Sequence, residues 1–343
     1  MSNITIIGDG GWGTALALIL NGNGHRVTLW GPDAAYLAQV KASGENPRFL
    51  AGVPLPAALR WTASEAEATA GADGLVLAVP SRFYAAPLAR FAAHVPATAR
   101  VVSVSKGFDQ QTHQRLSALA ATEWNRPDVA ALSGPSHAEE VARGVPTAVT
   151  VASADPAASA FWQEAFNGAS FRVYTSDDII GVEVGGALKN VIAIAAGICD
   201  GLGFGDNTKA ALMTRGLAEI TRLGIRFGAN PATFSGLSGI GDLMVTCMSR
   251  HSRNRGVGER IGRGESLEAI LHGMQQVAEG VWTAKAAHGL IGEMNVELPI
   301  TAEVHAGLGG GDTLPPLPQT GWEEGKNPRE AVQSLMARPP RPE

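Results

Sequence analysis

The chain is poor in several things, and each scarcity closes a class of explanation. Cysteine occurs twice in 343 residues, as Cys199 and Cys247. Two thiols cannot make the disulfide framework of a small secreted scaffold, so a reduced compartment, the cytoplasm, is expected. Charged residues are only 17% of the chain, the net charge is −5, and no block of one sign stands out. Nucleic acid and anionic membranes are therefore not expected partners, and any anionic ligand must be held by a few local cations. The opening MSNITIIGDGG lacks the basic and apolar segments of a secretory leader. No apolar run approaches the ~20 residues of a bilayer-spanning helix, so no integral membrane segment is expected. No metal site is assigned.

Apolar residues, at 45%, and glycine, with 42 copies, are plentiful. The first suffices for a packed core, and the length suggests two domains of about 150 residues each. The second points to tight turns and close backbone approaches.

The first half alternates strands and helices. Residues 4–7, 25–30, 74–80, 101–107, 129–132 and 147–151 read as strands, and 14–20, 34–42, 83–94 and 112–124 as helices. Alternation of this kind predicts an α/β, Rossmann-like, doubly wound parallel sheet. After about residue 175 the strand signals stop. Residues 176–200, 207–228, 257–272 and 279–291 read as helices, broken by GLGFGD, GLSGIGD and a Ser/Arg/Asn loop. The expected organisation is a dinucleotide-binding domain over 1–175 and an all-α domain over 176–306. A Gly/Pro-rich loop over 307–326 and a C-terminal helix and tail over 327–343 complete it, with Asn327 as N-cap and Pro328 at the first helical position.

Gly8, Gly10 and Gly13 form G-x-G-x-x-G between the first strand and the first helix. Gly8 allows the tight turn, Gly10 lets a pyrophosphate approach, and Gly13 lets helix and strand pack closely. The triplet alone is weak evidence. Strand, turn, helix and second strand inside about 30 residues make it strong. Asp33 follows the second strand, where an acid can bond the ribose 2′-hydroxyl of NAD; it can equally cap the helix beginning at Ala34.

Four polar stretches are candidates for the chemistry: Lys106 at a strand end in SVSKG, the GPSHAEE turn at 134–140, Lys189-Asn190 in the apolar GGALKNVIAIAAG at 185–197, and Asp242, Thr246, Ser252, Arg253 and Asn254 within 239–255. Each has a plainer reading. Lys106 can be an ordinary strand-end cation, Asp242 a helix cap, and the Ser/Arg/Asn run a solvated loop. His137 is set aside, since a lone histidine is more often structural. Lys189 is hardest to read plainly, because lysine is almost never fully buried without a partner.

With these residues in view the chain resembles the bacterial NAD(P)-dependent glycerol-3-phosphate dehydrogenases, a family with the two-domain plan of 6-phosphogluconate dehydrogenase. The matching segments are GDGGWGTALA (8–17), NPRFLAGVPLP (46–56), AVPS (78–81), SKG (105–107), SGPSHAEE (133–140), VGGALKNVIAIAAG (184–197), GDNTKAALMTRGLAE (205–219), GLSGIGDLMVTC (236–247), SRNR (252–255) and AEGVWTA (278–284). They lie in order over nearly the whole length. The resemblance implies reversible reduction of dihydroxyacetone phosphate to sn-glycerol 3-phosphate by NADH or NADPH, for phospholipid synthesis, and a homodimer. It implies Lys189 as the catalytic proton acceptor in the oxidation direction. Lys106, Gly134, Ser136, Asn190, Asp242, Thr246, Ser252, Arg253 and Asn254 are the implied substrate contacts. Gly11, Trp12, Lys106, Ala138, Arg253, Val277 and Glu279, beside the glycine turn and Asp33, are the implied cofactor contacts. Two departures stand out. Pro32 replaces a residue commonly basic in the family, which weakens the case for NADP against NAD. The Gly/Pro-rich stretch before the last helix is additional, and a surface loop is expected there. The alternative is a related 3-hydroxyacid-type dehydrogenase acting on another small anionic substrate.

Overall fold

A computed structural model describes residues 1–274, 276–309 and 326–338. Ten strands are present among the described residues: β1 (Asn3–Ile7), β2 (Arg26–Trp30), β3 (Glu45–Asn46), β4 (Leu50–Pro54), β5 (Arg60–Thr62), β6 (Gly74–Leu77), β7 (Arg100–Ser103), β8 (Ala130–Ser133), β9 (Thr147–Ala152) and β10 (Phe171–Ser176). Eight form one sheet in the order β10-β9-β8-β7-β6-β1-β2-β5, and β3 pairs with β4 in a separate antiparallel hairpin. The apolar strands are buried on both faces. Ile4 and Ile6 of β1 pack into one core layer with Leu16, Leu20 and Val27, and Ile7 into the other with Trp30, Leu77 and Phe91. That is the two-sided burial a doubly wound sheet requires.

The order reverses beside β1, which lies between β2 and β6. The carboxyl ends of β1, β6, β7 and β8 therefore open onto one edge, where such sheets bind ligands. One departure from an all-parallel sheet bears on the site. β9 runs antiparallel to β8. The link between them, residues 134–146, carries only the helical turn Ala138–Val141 and returns to the same edge of the sheet. The GPSHAEE segment thus stays at the ligand edge. The hairpin, β5 and β10 were not anticipated; β3 and β5 are very short and β4 breaks the period-two pattern, whereas β10 alternates over its first four residues.

Beyond β10 the described residues are helical. The helix Ile179–Gly201 is the axis of this part, with every residue from Gly181 to Cys199 buried. By length and composition it could cross a membrane, contrary to the expectation that no run approaches that length; it is instead a core helix, with 89% of its most apolar window buried. Helices Asp206–Phe227, Asp242–Met248, Arg253–Gly262 and Glu279–Glu293 pack on it. Its contact with Arg253–Gly262 is backbone to backbone: a Cβ on Gly197, Gly201, Gly258 or Gly262 would overlap the other helix's main chain.

The single helix expected over 257–272 is two, Arg253–Gly262 and Leu267–His272, separated at Gly264 with φ +94°. The helix expected over 112–124 begins only at Leu116. Residues 109–112 instead turn on Asp109, whose Oδ1 accepts from the backbone N–H groups of Gln111 and Thr112. At the far end Asn327 caps Pro328–Met336, accepting from the Arg329 N–H. Residues 310–325 of the Gly/Pro-rich stretch lie outside the described residues.

Candidate active site

The cleft at the sheet edge begins at the glycine turn. Gly8 has φ +127°, a conformation L side chains rarely adopt, and a Cβ there would overlap the Ala78 carbonyl. A Cβ on Gly13 would lie 2.5 Å from the Gly8 oxygen, so Gly13 closes the turn on itself. A Cβ on Gly10 would meet nothing within 4 Å. Two glycines serve packing; the open one lies where a pyrophosphate would approach. No side chain caps the helix Gly11–Gly22 that follows. Its first N–H groups are therefore offered to a ligand, and the helix dipole favours an anion there. Trp12 lines the same cleft with a buried, unpartnered Nε1. These features fit a dinucleotide.

Gly11 does something the G-x-G-x-x-G reading does not contain. A Cβ on it would come 2.5 Å from the Phe49 carbonyl oxygen, so the β3–β4 hairpin is clamped over the turn. The same oxygen accepts from Gln276 Nε2 at 3.3 Å, tying the hairpin to the helical part.

At the other end a carboxylate lies between two lysines. Asp242 is fully buried. Its Oδ2 accepts from Lys106 Nζ at 2.6 Å and its Oδ1 from Lys189 Nζ at 2.5 Å. Ser133 Oγ adds a bond to Oδ2 at 3.2 Å, and Thr246 Oγ1 accepts from Lys189 at 2.8 Å. Lys106 also donates to the Gly134 carbonyl at 3.1 Å. The cap reading of Asp242 fails, because no side-chain cap bond is made there and the carboxylate is given to the lysines. The approach of the long helix depends on its glycines: a Cβ on Gly186 would overlap Ser133 Oγ, and one on Gly185 the Ser238 carbonyl.

Burial pulls the Lys189 ammonium down to about 7; Asp242 opposes the fall and Lys106 adds to it. Burial works to raise the Asp242 carboxyl, but Lys106 and Lys189 outweigh it and hold it below the usual carboxylate range. A lysine so placed can exchange a proton near neutrality, which an ordinary exposed lysine cannot.

The SRNR run is not a solvated loop. Ser252 caps Arg253–Gly262, accepting from the Arg255 N–H, and Asn254 is buried. Asn254 donates to Asn190 Oδ1 at 2.9 Å and accepts from the Gly280 N–H at 2.8 Å. Arg253 lies in the cleft wall and donates to the Val277 carbonyl at 3.0 Å. Glu279 accepts from Ser81, at 3.1 Å from the backbone N–H and 2.5 Å from Oγ.

One cleft is lined by Gly10, Gly11, Trp12, Lys106, Ser136, Ala138, Lys189, Asn190, Thr246, Ser252, Arg253, Asn254, Val277 and Glu279. Asp242 lies beneath its floor, and Gly134, with φ +148°, supplies its carbonyl to Lys106. Gly8 and Gly13 support the turn from behind. Asp33 is not in the lining: its Oδ1 caps the helix Ala34–Ser43, accepting from the Tyr36 N–H at 3.0 Å. Ser133, Ser81, Phe49 and Gln276 were missed; each acts through a partner distant in sequence and leaves no local signal.

The glycine turn on a doubly wound sheet, facing a buried lysine–carboxylate pair, defines a dinucleotide-dependent oxidoreductase with a helical substrate half. Comparison with known proteins narrows the class. Residues 3–159 match the NAD-dependent glycerol-3-phosphate dehydrogenase N-terminus and residues 178–315 its C-terminus. The glycerol-3-phosphate dehydrogenase [NAD(P)+] of Geobacillus thermodenitrificans is 48% identical over 342 residues, covering 98% of this chain and 95% of its own. A crystal structure of glycerol-3-phosphate dehydrogenase from Coxiella burnetii superposes with a TM-score of 0.91 at 37% identity, covering 98% of this chain and 99% of its own. A ketopantoate reductase structure from Ralstonia eutropha, at 15% identity and a TM-score of 0.60, covers 89% of this chain and 96% of its own and shares the fold alone. The chain belongs to the NAD-dependent glycerol-3-phosphate dehydrogenase family.

Proposed function

We propose that this protein reversibly reduces dihydroxyacetone phosphate to sn-glycerol 3-phosphate with NADH or NADPH, supplying glycerophospholipid synthesis. The observation that carries the reading is the Lys189–Asp242–Lys106 cluster, set in one cleft with the glycine turn and the Arg253–Asn254 pair. Gly10, Gly11, Trp12, Ala138, Val277 and Glu279 hold the dinucleotide, whose nicotinamide supplies or accepts the hydride. Lys189 gives a proton to the substrate's carbonyl oxygen in reduction and takes it from the hydroxyl in oxidation. Asp242 orients the ammonium, and Lys106 holds Asp242 ionised. Arg253, Asn254, Ser252, Ser136 and Asn190 position the phosphorylated substrate through charge-assisted bonds, with Thr246 steadying Lys189.

The division of labour follows the chain. Residues 1–175 supply the glycine turn and most of the dinucleotide contacts, 176–306 supply Lys189, Asp242 and most of the substrate contacts, 307–326 join these to the last helix, and 327–343 are that helix and the tail. A cytoplasmic homodimer is supported by the cysteine usage and the family resemblance; light scattering on the purified chain tests the dimer. The function is tested by following NADH and NADPH absorbance with dihydroxyacetone phosphate against unphosphorylated dihydroxyacetone and a panel of 2-keto acids. Turnover of dihydroxyacetone phosphate at a kcat/KM at least about a hundredfold above the others is expected. Preference for a keto acid would overturn the reading in favour of a related hydroxyacid dehydrogenase.

A further inference from the structure

Asp33 was the expected acid at the adenosine ribose, and the fold gives that side chain to helix capping. Another carboxylate occupies the corner. Asp9 is the residue between the first two glycines of the turn, and its side chain lies over Gly31, the first residue after β2. A Cβ on Gly31 would come 2.5 Å from Asp9 Oδ2 and 2.7 Å from its Cγ. In a doubly wound domain the ribose hydroxyls of a dinucleotide lie between the glycine turn and the end of the second strand.

The surroundings hold Asp9 in place mainly through its backbone carbonyl. Asn46 Nδ2 donates to the Asp9 backbone carbonyl and to Thr14 Oγ1, both at 2.8 Å. Tyr36 donates to Asn46 Oδ1 at 2.5 Å. No side chain among the described residues hydrogen-bonds the Asp9 carboxylate. The charged groups that face it are Arg48 and Asp33. Arg48 is exposed, with its guanidinium carbon stacked 4.3 Å from the Tyr36 ring centroid. One cation against two carboxylates leaves the corner net negative, and Pro32 adds no charge. A 2′-phosphate entering here would meet more negative than positive charge, whereas a neutral 2′-hydroxyl would find a free acceptor.

We propose that Asp9 is a specificity-determining residue that accepts the ribose 2′-hydroxyl of NAD and repels the 2′-phosphate of NADP. The proposal rests on the dehydrogenase reading above and adds that this chain is NAD-selective through its glycine turn rather than through its strand-end acid.

The test is direct binding of NADH and NADPH to the full chain by calorimetry, without substrate. The wild-type protein should bind NADH at least about tenfold more tightly than NADPH. Asp9→Asn, which keeps the shape and removes the charge, should shrink that ratio about tenfold, and Asp9→Ala should shrink it as well. Asp33→Asn, which can still cap and only lowers the net charge of the corner, should shrink the ratio clearly less than Asp9→Asn does. Circular dichroism and the thermal midpoint establish that each variant is folded. Tighter NADPH binding by the wild type, or an unchanged ratio in both Asp9 variants, would overturn the proposal. Binding of neither nucleotide would overturn it together with the dehydrogenase reading. Binding as expected without reduction of dihydroxyacetone phosphate would overturn that reading alone.

Discussion

At one end of the cleft, residues 8–13 shape a surface by leaving side chains out. At the other, Lys106, Lys189 and Asp242 shape one by bringing charged side chains in, with Lys106 and Asp242 lying 136 positions apart. The first region is local: one turn, its strand and its helix, held by main-chain contacts. The second exists only when a strand end and two helices are packed together. On the proposed function, dinucleotide binding would depend on absent atoms and free N–H groups, and proton transfer on desolvated charges that hold one another in place.

The largest expected effect tests the charged end. Lys189→Met should lower kcat for dihydroxyacetone phosphate reduction by about a thousandfold while the NADH dissociation constant moves less than about threefold. Turnover within tenfold of wild type would remove Lys189 from proton transfer. Next comes its counter-ion. Asp242→Asn leaves two lysines facing a neutral amide in a buried place, and urea unfolding should show a loss of about 3–5 kcal/mol. An unchanged unfolding midpoint would mean the carboxylate does not hold the cluster together.

A third experiment uses pH. Lys189 must be neutral to accept a proton, so oxidation of glycerol 3-phosphate should accelerate as pH rises through about 7 and then level. Reduction needs the ammonium and should slow over the same range. Parallel profiles in the two directions would assign the proton to another group. The smallest effect sharpens the glycine end. Gly10 has φ −69°, which alanine adopts freely, and open space before it. Gly10→Ala should weaken NADH binding about tenfold yet change stability by less than about 1 kcal/mol, the loss of a favoured N-cap residue offsetting the entropic gain. Gly13→Ala, forced against the Gly8 carbonyl, should lose stability in the same denaturation experiment. Equal stability losses in the two variants would mean that Gly10, like Gly13, serves packing alone.

The same contrast explains what was legible in the sequence. The β1–turn–helix–β2 unit was, because each glycine's task is set by neighbours within about 30 residues. The strand Thr147–Ala152 was legible as a strand but not in its direction, since a buried apolar run carries no sign of parallel or antiparallel pairing. Asp33 supported two local readings, and the structure shows the capping one, with Oδ1 accepting from the Tyr36 N–H. The pairing of Lys189 with Asp242 left no periodic trace. A buried lysine announced that a partner must exist, and family resemblance rather than spacing suggested which. SRNR looked like a loop because three polar residues and a serine read as solvated; Ser252 is a cap, and Asn254 faces another buried amide.

The backbone contact between helices Ile179–Gly201 and Arg253–Gly262 has a mechanical consequence. Lys189 and Asn190 ride on one helix, Arg253 and Asn254 on the other, and the glycines leave no compressible side chain between them over that span. The backbones that carry these side chains are therefore held at a fixed separation where the glycines meet. Shearing these two helices past each other would drive main chain into main chain, so this wall of the cleft resists deformation more than a wall packed through side chains would.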